Sequence, residues 1–259
     1  MKMRYTLPLL ILPLLMTATA FAQTPTPTLT STPEVEPSPR ALVSLTGHDP
    51  WAAVLGADSP TFTLYDDGLV IYINYDDPDP HYQSVQLSPE ELEEFQAGLD
   101  IGEAFFALDE YYPLTTTTDQ PTYSIYVWDE TLGSHLVWVY GYPYSPESSR
   151  NAPEAFMHIY DQLVSFQDEE AEPWFPEQFE VILWEYNTSE ATEWPADWPS
   201  LDDPTTIQRS SVYSLYLDAS EYETFIELAQ TANAFELDGQ TWAFSMRLPF
   251  VDESAWLGQ

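Results

Sequence analysis

The chain has 259 residues, with 43 acidic side chains against six basic ones, four histidines and no cysteine. No disulfide, thiol nucleophile or thiolate metal cluster can form from this composition. A pI near 4.1 argues against nucleic acid as a partner, because phosphate recognition needs clustered Lys and Arg.

Lys2 and Arg4 precede the apolar run Leu7–Met16, and Ala20-Phe21-Ala22 supplies an Ala-x-Ala end. This pattern predicts a secretory signal peptide over residues 1–22, cleaved after Ala22. The run is shorter than the about 20 apolar residues of a spanning helix, and Pro8 and Pro13 interrupt it. No later segment is apolar enough to span, so the mature chain is expected to be secreted or periplasmic, without a transmembrane span. Cleavage would leave four arginines against 43 acids, a net charge of −39, and no lysine for Schiff-base or Ser–Lys chemistry. Such self-repulsion favours solubility and opposes the compact state at low salt. The acidity reads first as adaptation to a salty medium and second as binding of cations or a basic partner.

Residues 23–40 form a Pro/Thr-rich spacer of extended character. Thr61–Tyr65 and Leu69–Tyr75 flank Asp66-Asp67-Gly68, a strong hairpin signal, and Tyr82–Leu87 reads as a third strand. Ser88-Pro89-Glu90-Glu91 is a capping box opening a helix with Leu92, Phe95 and Leu99 on one stripe. Tyr123–Asp129 and Leu136–Tyr142 predict a second hairpin, and Pro153–Phe166 a second helix carrying Phe156, Ile159, Leu163 and Phe166. The acidic break at 168–173 places a boundary between a first domain, 41–172, and a second, 173–259. The second domain reads as a strand (Phe179–Tyr186), a long loop (Asn187–Gln208), a strand (Val212–Leu217), a helix (Ala219–Ala229) and a last strand (Thr241–Leu248). The expected architecture is α+β, with antiparallel sheets covered by helices.

A shift of 130 positions aligns Leu87 with Leu217, Glu91 with Glu221, Phe95 with Phe225 and Phe105 with Phe235. Two duplicated β-α-β units would produce this echo, and so would two strand-to-helix turns sharing cap chemistry.

The run Ser59–Tyr72, the capped Leu87–Leu92 segment, Phe105–Leu108, Thr118–Thr122 and the hairpin Tyr123–Tyr142 together resemble an uncharacterised family of bacterial exported proteins and lipoproteins. The resemblance covers roughly Ser59–Phe166, with a looser echo at Trp194–Pro199. It implies a fold type and an envelope location and carries no activity or site residue with it. The lipoprotein members would carry a lipobox Cys that this chain lacks.

The chain contains no nucleophile elbow, dinucleotide fingerprint or P-loop. His48, His81, His135 and His158 share no metal-ligand spacing. Asp76, Asp77 and Asp79 offer oxygens suited to Ca2+, although Pro78 and Pro80 exclude an EF-hand loop. No other cofactor is expected. Asn187-Thr188-Ser189 fits a glycosylation acceptor, and Arg247 on the last strand suggests a structural ion pair. The second hairpin is the most informative feature. Ile125, Val127, Val137 and Val139 alternate with Tyr126, Trp128, Trp138, Tyr140 and Tyr142, so one face is aliphatic and the other aromatic. Those five rings, with Trp194 and Trp198 of the long loop, form the candidate ligand-binding set. The expected function is a non-catalytic module binding an envelope glycan or protein partner. The alternative is a carboxylate-dependent hydrolase of an envelope polymer, which needs only two acids at suitable separation.

Overall fold

The computed structural model describes residues 38–51, 58–75, 77–78, 80–146, 150–185 and 190–257. The signal peptide, most of the spacer, Asp76, Asp79 and the Asn187–Ser189 acceptor lie outside the described residues. The chain forms β1 (Ala41–His48), β2 (Phe62–Tyr65), β3 (Leu69–Ile73), β4 (Tyr82–Gln86), α1 (Pro89–Leu99), α2 (Glu103–Phe106), β5 (Tyr111–Pro113), β6 (Thr122–Asp129), β7 (Gly133–Tyr140) and α3 (Glu154–Val164). There follow β8 (Glu172–Pro173), β9 (Gln178–Glu185), β10 (Ala191–Glu193), β11 (Ile207–Arg209), β12 (Val212–Asp218), α4 (Tyr222–Thr231), β13 (Ala234–Leu237), β14 (Gln240–Arg247) and α5 (Ser254–Leu257). This is an α+β fold with two mostly antiparallel sheets. The first runs β5-β7-β6-β1-β2-β3-β4-β8 and the second β10-β13-β14-β9-β12-β11.

Local chemistry explains the turns. Gly68 sits at φ 87°, and a Cβ there would lie 2.7 Å from the Leu87 carbonyl oxygen, so only glycine closes this hairpin. The α1 cap is complete: the Glu91 N–H donates to Ser88 Oγ at 3.3 Å and the Ser88 N–H donates to Glu91 Oε2 at 2.8 Å. Hydrogen bonds from the Ser88 side chain and its backbone N–H hold the Glu91 carboxyl below its usual range.

β1 is the longest of the strands that the sequence pattern did not announce; the others are the short β5, β8 and β13, and β10 and β11 at the two ends of the expected loop. β1 lies at the centre of the first sheet, between β2 and β6, and is buried on both faces over Ala41–Thr46. A strand covered on both sides has no polar face to alternate with its apolar one. Val43 and Leu45 join Ile125, Val127, Val137 and Val139 beneath α1, α2 and α3, where Phe105, Phe156 and Ile159 complete the main core. The opposite face of the same sheet holds Ala41, Tyr65, Ile71 and Tyr126, and Phe250 and Trp256 from the C-terminal tail cover it. Tyr65 donates its hydroxyl to the Val251 carbonyl at 3.1 Å, and Ser59 Oγ donates to the Leu248 carbonyl at 2.9 Å.

The second sheet packs Phe179, Val181, Leu215 and Leu217 against Phe225 of α4. The two parts are tied at the acidic break itself, since β8 pairs with β4, and residues from Ser38 onward form one compact unit. The 130-residue echo is partial: Phe95 and Phe225 both lie in helices, α1 and α4, but other aligned pairs differ in conformation. Phe105 and Phe235 are both core residues, but Phe105 lies in helix α2 and Phe235 in strand β13. Asp218 also makes no side-chain cap bond, and the chain enters α4 through a 3-10 turn at Ala219–Glu221.

Candidate ligand-binding cleft

The second hairpin is two-sided, and the fate of its rings is mixed. Ile125, Val127, Val137 and Val139 are fully buried under the helices. On the other face Tyr126 is 5% exposed and packs against Trp256 with ring centroids 5.8 Å apart. Trp128 is half-buried and lies under the Arg40 guanidinium, 4.2 Å from its carbon to the ring centroid. Trp138 is half-buried and packs against His48 at 4.7 Å. Tyr140 spends its hydroxyl on the Thr117 carbonyl at 2.9 Å. The aromatic row of the hairpin is therefore largely engaged with the protein itself.

Trp194 and Trp198 are core residues, placed beneath the loop rather than open on it. Their rings meet edge-on at 4.9 Å, their indole N–H groups donate to the Pro199 carbonyl and Glu221 Oε2 at 2.9 and 3.0 Å, and they are 5% and 7% exposed. The loop folds inward because two indoles gain more from burial than the loop gains by extending. Of the three aspartates considered for Ca2+, only Asp77 is described. Among the described residues no three His, Asp or Glu side chains converge as a metal-binding group.

Tyr142 breaks from its expected face. Gly141 has φ 107°, which ends the strand alternation. Tyr142 is delivered to the helix side, where its ring lies 6.3 Å from that of Tyr123. There the ends of β1 and β6, the turn after β7, the segment after β3 and the end of α3 enclose an open cleft of about 710 Å³. Gly47 stands directly opposite Tyr123 in the β1–β6 register. With no side chain at that position, the Tyr123 ring stays partly exposed; a Cβ there would touch it at 3.5 Å.

The walls are rings. Tyr123 meets Tyr160 at 5.4 Å with an 80° angle between planes, and Tyr144 meets Tyr160 at 5.7 Å and 61°. Trp51, Tyr75, Tyr142 and Tyr144 also line the cleft and are 74%, 60%, 55% and 62% exposed. Asp49 and Asp119 add carboxylates, and among the described residues no Lys or Arg lines it. Asp49 Oδ1 accepts the Trp51 N–H at 2.8 Å, which sets the turn that carries the indole. Tyr144 donates to Asp161 Oδ1 at 2.6 Å, and partial burial together with that carboxylate pushes its hydroxyl up to about 12. Burial, and then neighbouring phenols, also raises Tyr123 and Tyr160. All three are neutral phenols at pH 7.

Sequence reading missed Trp51, Tyr75, Tyr123, Tyr144 and Tyr160 as partners of Tyr142. The nearest local signal was the Tyr142-Pro143-Tyr144 turn. Nothing local announces that four other segments meet there.

A second constellation adjoins the cleft. His48 Nε2 lies 3.0 Å from Ser124 Oγ, and His48 Nδ1 lies 3.3 Å from Asp58 Oδ2. Acid, imidazole and hydroxyl follow the order of a nucleophilic hydrolase. Ser124, however, is 4% exposed and sits mid-strand in β6, which is paired on both sides by β1 and β7. The β6 backbone N–H groups beside Oγ lie within those ladders, not aimed at an oxyanion position. The arrangement works as a hydrogen-bonded brace between Asp58 and the central strands.

No family model matches the chain, and neither a curated protein nor a solved structure matches it.

Proposed function

We propose that this chain is an exported, non-catalytic binding module of the cell envelope or exterior, which holds part of an envelope glycan or protein partner in the tyrosine-lined cleft. One observation carries the reading: Trp51, Tyr75, Tyr142 and Tyr144, four of the most exposed large rings, converge on one concavity. Exposed aromatic surface gathered in a concave site is the usual mark of a ligand position. The volume of about 710 Å³ falls in the range of small-ligand sites. The leader-like amino-terminal pattern supports export.

The test is a fluorescence titration of the purified full chain with soluble envelope glycans and oligopeptides, reading Trp51 through the Trp51→Phe control. Saturable binding that is lost in the Tyr142→Ala, Tyr144→Ala double variant supports the reading. Binding that survives that variant, or none with any probe, overturns it.

A further inference from the structure

We infer that the cleft recognises an alkylated ammonium group, a cation of the trimethylammonium type carried on a larger polar molecule. The inference rests on the reading of the cleft as the ligand site and narrows its chemistry.

Three observations converge on it. First, the rings do not form a platform. Tyr123, Tyr142, Tyr144 and Tyr160 are inclined to their neighbours by 58°, 80° and 61°. A pyranose ring wants one broad flat face, whereas mutually tilted faces suit a rounded group that contacts several at once. Each ring face carries negative quadrupole potential, so the rounded group best served is a cation.

Second, the charges agree. Asp49 and Asp119 lie in the lining, no Lys or Arg does among the described residues, and His48, which also lines it, faces the Asp58 carboxylate at 3.3 Å. Tyr144 donates its proton toward the Asp161 carboxylate at 2.6 Å, which makes its ring more electron-rich. The chain as a whole, with 43 acids against six bases, raises the local concentration of any cation near its surface.

Third, the chemistry selects among cations. Ca2+ and Mg2+ need about six or more oxygen ligands in a shell, whereas this lining is mostly rings and, among the described residues, brings no third acid or histidine to converge with Asp49 and Asp119. A methylated ammonium is weakly hydrated and loses little on entering an apolar cage. The volume of about 710 Å³ leaves room beyond the head group for the molecule that bears it.

The experiment uses the full chain, tetramethylammonium and choline, and the uncharged carbon isostere of choline, all at matched ionic strength with NaCl so that screening is constant. Calorimetry or proton chemical shifts of the tyrosine rings report binding. Choline should bind saturably and roughly tenfold or more tighter than its isostere, as expected for a cation against several ring faces. Tyr142→Ala should weaken choline by a similar factor, while Tyr142→Phe, which keeps the ring, should retain it. Tyr142 is largely exposed, so neither change threatens folding. Equal binding of the isostere, an unchanged Tyr142→Ala variant, or no saturable binding of either cation overturns the inference. Neutral glycans or peptides that bind in the cleft while both cations fail would overturn this inference alone and leave the cleft as the ligand site.

Discussion

Arg247 and Glu180 stand directly opposite each other on β14 and β9, and the Arg247 Nε–H donates to Glu180 Oε2. Both are almost wholly buried. The same guanidinium donates through both terminal nitrogens to Glu253, Nη1 to Oε2 at 2.9 Å, and Glu253 Oε2 also accepts the Phe250 N–H at 3.0 Å. Burial alone would lower the Arg247 pKa, but the hydrogen bonds and charges of Glu253 and Glu180 together outweigh it, so the group is held more firmly protonated. This fork fastens the C-terminal tail, whose Phe250 and Trp256 cover the outer face of the first sheet.

Arg247→Met should therefore destabilise by about 3–5 kcal/mol, because it leaves buried carboxylates without their cation. Urea unfolding measures the loss. A change below about 1 kcal/mol would show that the tail is held by its apolar side chains alone.

Trp198→Ala should cost about 3–5 kcal/mol through the cavity beside Trp194 and Phe225 and the released Glu221 carboxylate. Ligand affinity at the cleft should not move, since Trp198 lies in the other core. Chemical denaturation and a binding isotherm on the same variant check the two halves; a mild loss of stability with a large loss of binding would return the Trp-Pro loop to the ligand site.

Ser88→Ala should cost about 1 kcal/mol by removing the oxygen that accepts the Glu91 N–H. Glu91 contributes in the pH sense of a lowered carboxyl. Its stabilisation is present above the ordinary Glu pKa and is lost as pH falls below it. The acid limb of the stability profile should accordingly be shallower in Glu91→Gln; an unchanged limb would mean that the cap is unimportant in solution.

Alkaline pH should unfold the chain cooperatively. Burial holds Tyr65, Tyr82 and Tyr160 above their ordinary pKa of 10.0. Groups raised in the folded state stabilise fully below the unfolded pKa and lose that contribution as pH rises, here from about 10 upward. Each adds up to about 1.4 kcal/mol per pH unit to the slope. Tyrosinate absorbance followed with circular dichroism should show these phenols ionising together with unfolding. Ionisation of all 17 tyrosines while the native signal persists would contradict their burial.

Much of the fold was legible along the chain. Asp67-Gly68 closes its hairpin, the Ser88–Glu91 box opens its helix, and the Ile125/Val127 and Val137/Val139 alternation faces the helices, because each is written in backbone and side-chain chemistry within a few residues. Arg247 was likewise readable as a structural cation among many acids. Central strand β1 was not, since burial on both faces erases the alternating pattern.

The sequence by itself determined that the second hairpin has an aliphatic and an aromatic face. Tertiary structure alone decided which rings remain open. Trp256 comes from far along the chain to cover Tyr126, two indoles turn into the second core, and Gly141 swings Tyr142 to the opposite side. The cleft exists because Gly47 places no side chain over the partly exposed Tyr123 ring and the end of α3 brings Tyr160 beside it. Side-chain alternation is local and survives in the sequence, whereas exposure depends on which distant surface arrives to exclude water.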